Sequence, residues 1–335
     1  MLRLAIGAIG ASFVITQYHT SLMFGPRCVG TANATTAGWG NMGGGAAQIA
    51  MPLLFAVIVG FGVSEYWSWR LAMIVPGVAM ILLSVAYFLF TKDTPQGNLA
   101  DLRKAGIQVT GGKSKGSLAE AASDRRVWML ALVYAVSFGL EITIHNVAAL
   151  HFIDHYEMSV TGAGIVVGAF GLLAIFARTL GGWLSDRAYL RTGLRGRTVV
   201  LAVSLLLQGF FLMTFSQMGS IAMAVAMLVL FGLFVHTTCG ATYAIIPFIN
   251  QRSIGSVAGI VGAGGNLGAV LFGFLFKGGI AWTSAFLLMG ILVTVVAALS
   301  WHIRFSPQAE AQAWELRQKD EERPADATPA LPSAA

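Results

Sequence analysis

The sequence predicts an all-α membrane protein, a helical bundle of about nine transmembrane helices. Three observations carry that prediction. Hydrophobic residues make up 56% of the chain and charged residues only 11%, with a mean hydropathy of +0.73, a balance no water-soluble core absorbs. Apolar runs of about 20 residues, the length that crosses a bilayer, recur from end to end. The 40 glycines would each weaken a helix in water by about 1 kcal/mol relative to alanine, whereas in a membrane small residues let helix backbones approach closely.

In chain order the predicted spans are Leu4 to Phe24, Gly30 to Val63, Leu71 to Phe90, Val127 to Leu150, Gly162 to Ser185, Val199 to Phe215, Ile221 to Phe248, Ile254 to Phe276 and Trp282 to His302. Leu4 to Phe24 lacks the basic leader and small-residue cleavage site of a removed signal peptide and reads as a true span. The uncharged region from Thr198 to Gln251 is too long for one crossing, and Ser216-Gln217-Met218-Gly219-Ser220 is its turn-prone middle. Between the third and fourth spans lies the longest polar segment, with Lys92, Arg103, Lys104, Lys113, Lys115, Arg125 and Arg126. The predicted domains are thus residues 1–91, a partial N-terminal bundle of three spans; 92–126, a central loop; 127–305, a six-helix bundle; and 306–335, a disordered tail rich in Pro, Ala and charge.

Lys and Arg near span ends are retained on the cytoplasmic side. If the central loop is cytoplasmic, alternation places Arg27, the Arg187 to Arg197 cluster, Arg252 and the tail there too. Only Arg3, Arg70 and Lys277 then fall outside. The pI near 9.5 is therefore topological and implies no nucleic-acid partner. Cys28 and Cys239 give no metal spacing or disulfide framework, and no cofactor or metal is expected.

The glycine-densest stretch, Ala37-Gly38-Trp39-Gly40-Asn41-Met42-Gly43-Gly44-Gly45, has a later echo. Gly40-Asn41-Met42-Gly43 matches Gly265-Asn266-Leu267-Gly268 at an offset of 225 residues, and Gly30-Thr31 matches Gly255-Ser256 at the same offset. Two related halves are implied, with each Asn expected to hydrogen-bond across a helix contact. Gly38 to Gly43 also satisfies the dinucleotide fingerprint G-x-G-x-x-G. That fingerprint needs a preceding strand and a later acidic residue, and an apolar span-length run follows here instead. The second copy lies in the fifth of the six spans after the central loop. If the halves are parallel repeats of six, three spans are missing before Met1; the alternative is a complete nine-span protein.

Arg178 is the sharpest single residue. It lies eight residues before Asp186, about 12 Å along a helix, and so near the middle of a roughly 30 Å core. Holding it there costs about 2.5 to 3.5 kcal/mol, and such residues face a cavity or a partner. The two readings are an anion site and a packing ion pair with Glu141. Glu141 and His145, one turn apart, are candidates for a proton relay; the alternative makes Glu141 a salt-bridge partner and His145 a surface group.

Gly181-Gly182-Trp183-Leu184-Ser185-Asp186-Arg187, followed by Arg191, Arg195 and Arg197, resembles the cytoplasmic G-x-L-x-D-R loop of the major facilitator superfamily. Together with both Gly-Asn stretches, Phe176-Ala177-Arg178 and Arg3-Leu4-Ala5-Ile6-Gly7, the chain resembles the nitrate/nitrite porters of that superfamily from Arg3 to about Phe305. Ala37 to Gly45 and Gly262 to Gly268 look like that family's two nitrate signatures.

The resemblance implies a major facilitator-type bundle lacking the first three of twelve helices. It further implies an alternating-access transporter, not an enzyme, that moves nitrate and often nitrite across the plasma (cell inner) membrane. Carried over, the substrate arginine falls on Arg178 and the aromatic residues that sandwich the anion on Phe13, Tyr134 and Phe138. Asn41, Gly38, Gly40, Gly264, Gly265 and Asn266 line or flank the passage. For Phe13 and Phe138 the alternative is ordinary span packing. A second substrate arginine of the family would lie in a span this sequence does not contain. Proton symport serving nitrate assimilation is the expected coupling. The alternatives are a nitrate/nitrite antiporter, a non-transporting remnant or a nitrate-binding membrane protein. A membrane-embedded enzyme would have only His145, His151 and His155 as a histidine cluster.

Overall fold

A computed structural model describes residues 10–106, 117–250, 253–277, 279–305, 309–311, 313–315 and 318. Residues 1–9, including the start of the predicted first span, residues 107–116 of the central loop, Arg252 and most of the predicted tail lie outside the described residues. Among the described residues the chain is helical throughout, and the one β-type pairing is an isolated bridge between Thr94 and Gly97.

The helices are α1 (Ala11–Met23), α2 (Val29–Gly60), α3 (Glu65–Phe90), the short α4 (Leu99–Lys104) and α5 (Ser117–Ser123), then α6 (Arg125–Tyr156), α7 (Val160–Leu172), α8 (Ala174–Thr192), α9 (Leu194–Phe215), α10 (Ile221–Ile245), α11 (Ile254–Leu275) and α12 (Trp282–Ser300). A 3-10 turn, Ile246–Phe248, extends α10. Seven crossings, with α7 and α8 together making one, are long and apolar enough to span a bilayer, and the bent α2 makes an eighth. Of the first predicted span the described part is α1, 13 residues long.

Local chemistry sets the boundaries. Asp124 starts α6 by accepting from the Arg126 amide at 2.8 Å, and Ser159 and Ser220 do the same for the amides of Gly162 and Met223, which opens α7 and α10. Because Ser216 to Ser220 leaves the helix, the long apolar run divides into α9 and α10 as predicted. Helix α2 bends by 41° between residues 47 and 50. Pro52 explains the bend, since its ring opposes the carbonyl four residues back and has no N–H to offer it.

Two boundaries differ from expectation. The fifth span is not the single helix Gly162 to Ser185; α7 and α8 meet at a one-residue break, Leu173, and α8 runs on to Thr192. Asp186 and Arg187 are therefore helical and not in a loop. The basic cluster turns on Gly193 alone, whose φ of 69° suits glycine, and α9 begins five residues before the predicted Val199.

Two seams hold the bundle. Helix α11 lies along α6, and α2 lies along α7 and α8 while also touching α10. Helices α9, α10 and α12 complete the core behind them. In contrast, α3 packs against α2, buries only Ser68 and Ala72, and turns Ile81, Leu82, Leu83, Phe88 and Phe90 outward. An apolar outer surface of this kind suits lipid.

Candidate functional site

Between α1, α2, α6 and α11 lies a cavity of about 1000 Å³. Phe13 and Thr16 of α1, Thr36, Gly40 and Asn41 of α2, Tyr134 and Phe138 of α6, and Gly262 and Asn266 of α11 are among its lining residues. Both glycine-asparagine copies therefore meet at one space, from two different helices. Among the described residues neither Asn hydrogen-bonds across a helix contact, contrary to expectation. Asn41 Nδ2 donates to Ala37 O at 2.8 Å and Asn266 Nδ2 to Gly262 O at 3.1 Å, each four residues back on its own helix. This shared bond respects the 225-residue repeat and keeps both amides at the cavity wall.

The aromatic residues form a connected wall. Tyr134 stacks on Phe138 with centroids 5.0 Å apart and planes 13° apart. Tyr243 of α10 stands edge-on to Tyr134 and to Phe13, at 5.2 Å from each. The stack depends on Gly265, where a Cβ would lie 2.7 Å from the Tyr134 ring and 2.8 Å from that of Phe138.

Arg178 sits behind this wall. It is fully buried, is not among the lining residues, and its guanidinium carbon lies 5.6 Å from the centre of the Phe138 ring. Nη2 donates to Glu141 Oε2 at 2.5 Å. Glu141 is 3% exposed, so the ion pair is a buried one, which is costly to form and costlier to break. Nε and Nη1 of Arg178, with the hydroxyls of Tyr134 and Tyr243, make no well-formed hydrogen bond among the described residues. One guanidinium and two phenols thus keep donors for an oxyanion, and a planar fork suits an anion with several oxygens.

Other expected residues have different duties. A Cβ on Gly38 would lie 2.7 Å from Ala174 O, and one on Gly264 would lie 2.6 Å from Ala131 O. Both glycines serve helix contact and not the cavity lining. Gly40, Gly43 and Gly44 have open space where a side chain would be, so only part of the dense stretch is packing chemistry. His145 is half-buried and not a surface group; its ring meets Phe170 edge-on at 5.1 Å. Glu141 instead faces His236 of α10, whose Nδ1 is 3.4 Å from Oε2, and Cys239, whose Sγ is 3.6 Å from the same oxygen. Tyr243, His236 and Cys239 escaped the motif reading. His236 had one legible signal, being the sole residue among Asp, Glu, His, Lys and Arg between Thr198 and Gln251.

At one end of the α2–α8 seam Asp186 clasps the start of α2. Its carboxylate accepts from the amides of Gly30 at 3.2 Å and Thr31 at 2.6 Å and from Thr31 Oγ1 at 2.6 Å, while Arg197 Nη1 pairs with it at 2.8 Å. Arg197 also donates to Pro26 O at 2.9 Å and stacks between Tyr189 and Phe248. An anion at a helix N-terminus is favoured by the free amides and the dipole there.

The sequence matches the Major Facilitator Superfamily over residues 1–249 and again over 139–331. It is 36% identical over 310 residues to the high affinity nitrate transporter 2.5 of Arabidopsis thaliana, a match covering 92% of this chain and 61% of that protein. It is 39% identical over 281 residues to the high-affinity nitrate transporter 2.3 of Oryza sativa subsp. japonica, covering 82% and 54%. The chain thus spans about six-tenths or less of the length of these curated relatives. Among solved structures, that of the proton:xylose symporter XylE superposes with a TM-score of 0.62 at 14% identity, covering 92% of this chain and 70% of that one.

Proposed function

We propose that this chain, which belongs to the major facilitator superfamily, is a nitrate transporter, and that nitrate binds where the cavity meets Arg178. The observation that carries the proposal is a buried guanidinium that meets Glu141 through one nitrogen and stands beside two buried phenols, Tyr134 and Tyr243, with donors to spare for an anion. Nitrate is planar and spreads one negative charge over three oxygens. A guanidinium fork can bond two of them, Tyr134 and Phe138 offer ring faces to its plane, and both glycine-asparagine copies flank the approach. The similarity to plant nitrate transporters over most of this chain supports the same ligand.

In this reading Phe138 and Tyr134 move to admit the anion, and Arg178 exchanges part of its bond to Glu141 for the new ligand. Residues 1–91 and 127–305 are the two units that rock about the site, joined by the 92–126 loop. The protein lies in the plasma (cell inner) membrane, with that loop and the C-terminus cytoplasmic; nitrite is a second substrate, and uptake is coupled to protons.

Calorimetric titration of the purified 335-residue chain tests the proposal. Wild type should bind nitrate, with chloride a poor competitor. Arg178→Lys keeps the charge but loses the fork, so affinity should fall roughly ten- to hundredfold, the worth of one charge-assisted hydrogen bond. Near-native affinity in the Lys variant would end the assignment of Arg178 as the ligand.

A further inference from the structure

We infer that Glu141 and His236 together form a proton-binding site that loads when the anion arrives. The inference rests on the reading of Arg178 as the anion ligand, and it moves the proton from the expected pair, Glu141 with His145, to a pair formed across two helices.

The polarity of the hydrogen bonds is the first argument. His236 Nε2 lies 3.1 Å from the Phe170 carbonyl, which can only accept, so Nε2 carries the hydrogen. A neutral imidazole then turns the lone pair of Nδ1 toward Glu141 Oε2. The two stand 3.4 Å apart, too far for a strong charge-assisted bond, and the geometry between them is not that of a well-formed hydrogen bond. Two acceptors confront one another in a buried space. One proton taken from solvent, on either atom, converts that confrontation into a charge-assisted hydrogen bond.

Charge balance is the second. Arg178 and Glu141 form a buried pair of zero net charge. An anion entering alone would leave one negative charge uncompensated where desolvation costs several kcal/mol per ion. An anion entering with a proton leaves the site neutral. The same oxygen, Oε2, receives Arg178 Nη2 and faces Cys239 Sγ and His236 Nδ1. Placing a proton there weakens its hold on the guanidinium and frees that group for nitrate.

The other groups around the pair are Tyr134 from α6 and Tyr243 from α10, neutral phenols, and His145 one turn along α6. Among the described residues His145 makes no ion pair with Glu141, and its ring lies against Phe170.

Nitrate titration of the purified chain in weakly buffered solution with a pH-indicator dye tests the inference. Wild type should take up about one proton per nitrate, and its affinity should fall roughly tenfold per pH unit on the alkaline side of the site's titration. Glu141→Gln, a mimic of the protonated acid, should bind nitrate without proton uptake and independently of pH. His236→Gln should lose the uptake near neutral pH, and His145→Gln should keep it. Nitrate binding by wild type without proton uptake would overturn the inference, as would uptake that survives His236→Gln but not His145→Gln. Absence of nitrate binding would instead overturn the reading of the anion site. The proton site would then be judged by infrared spectroscopy. A protonated-carboxyl band that appears on acidification should vanish in Glu141→Gln and shift in His236→Gln; a band unmoved by His236→Gln would overturn the pairing.

Discussion

Arg178 and Glu141 form an ion pair, yet pairing alone does not explain the site, because the guanidinium has more donors than the carboxylate uses. Stability and binding should therefore separate. Removing one partner of a buried pair costs about 3 to 5 kcal/mol, whereas replacing both with apolar residues is often neutral. Arg178→Leu should lower the melting temperature of the purified protein sharply, and Arg178→Leu with Glu141→Leu should restore it without restoring nitrate binding. A double variant that binds nitrate would show the pair to be packing alone. Gly265→Ala should weaken nitrate binding while the protein stays folded, because its methyl group meets side-chain rings that can shift; Gly264→Ala, against the backbone oxygen of Ala131, should cost folding itself. Circular dichroism beside calorimetry distinguishes the two. Arg178 was legible as a charge in mid-span within Phe176-Ala177-Arg178, whereas Phe13, Tyr134 and Phe138 came only from the family resemblance. Tyr243, His236 and Cys239 sit in a helix without Asp, Glu, Lys or Arg, and only its packing against α6 brings His236 and Cys239 to Glu141 and Tyr243 to Tyr134, about a hundred positions earlier.

The elements were legible wherever hydropathy alone defines them, since an apolar run of span length has few alternatives to a crossing helix. Their interruptions were less so. The break at Leu173 has no proline to announce it, and α8 continues past Asp186 because that carboxylate is satisfied by α2 and Arg197 and needs no water. The α2–α8 seam also explains why glycine recurs at its two sides. A Cβ on Gly182 would lie 2.3 Å from Gly30 O, and one on Gly30 would lie 2.5 Å from Asp186 Oδ1. Gly182→Val should force the helices apart and reduce the yield of folded protein. Asp186→Asn keeps the shape but leaves Arg197 buried and unpaired, so its melting temperature should fall, and Asp186→Asn with Arg197→Gln should recover part of the loss. Equal melting temperatures for the single variant and wild type would mean that the clasp contributes no stability.

Across the whole molecule the distribution of charge and the number of crossings must agree, and the α7–α8 break makes that agreement testable. Helix α7 has 13 residues, about 20 Å of rise, too short by itself for a roughly 30 Å hydrocarbon core. If α7 and α8 are one crossing, three crossings separate Ala100 in α4 from Gly219 in the turn before α10, and the two positions face opposite sides. If each helix crossed separately there would be four, and both would face the same side. The basic residues near Ala100, Arg103 and Lys104, assign that side to the cytoplasm. Ala100 and Gly219 are exposed, and Cys239 is buried, so replacing Cys28 with Ser leaves a background without an exposed thiol. In that background a cysteine at Gly219 should react with an impermeant maleimide added to intact cells, and one at Ala100 should react only after the membrane is opened. Reaction of both from outside would refute the single crossing, and reaction of Ala100 alone would reverse the orientation.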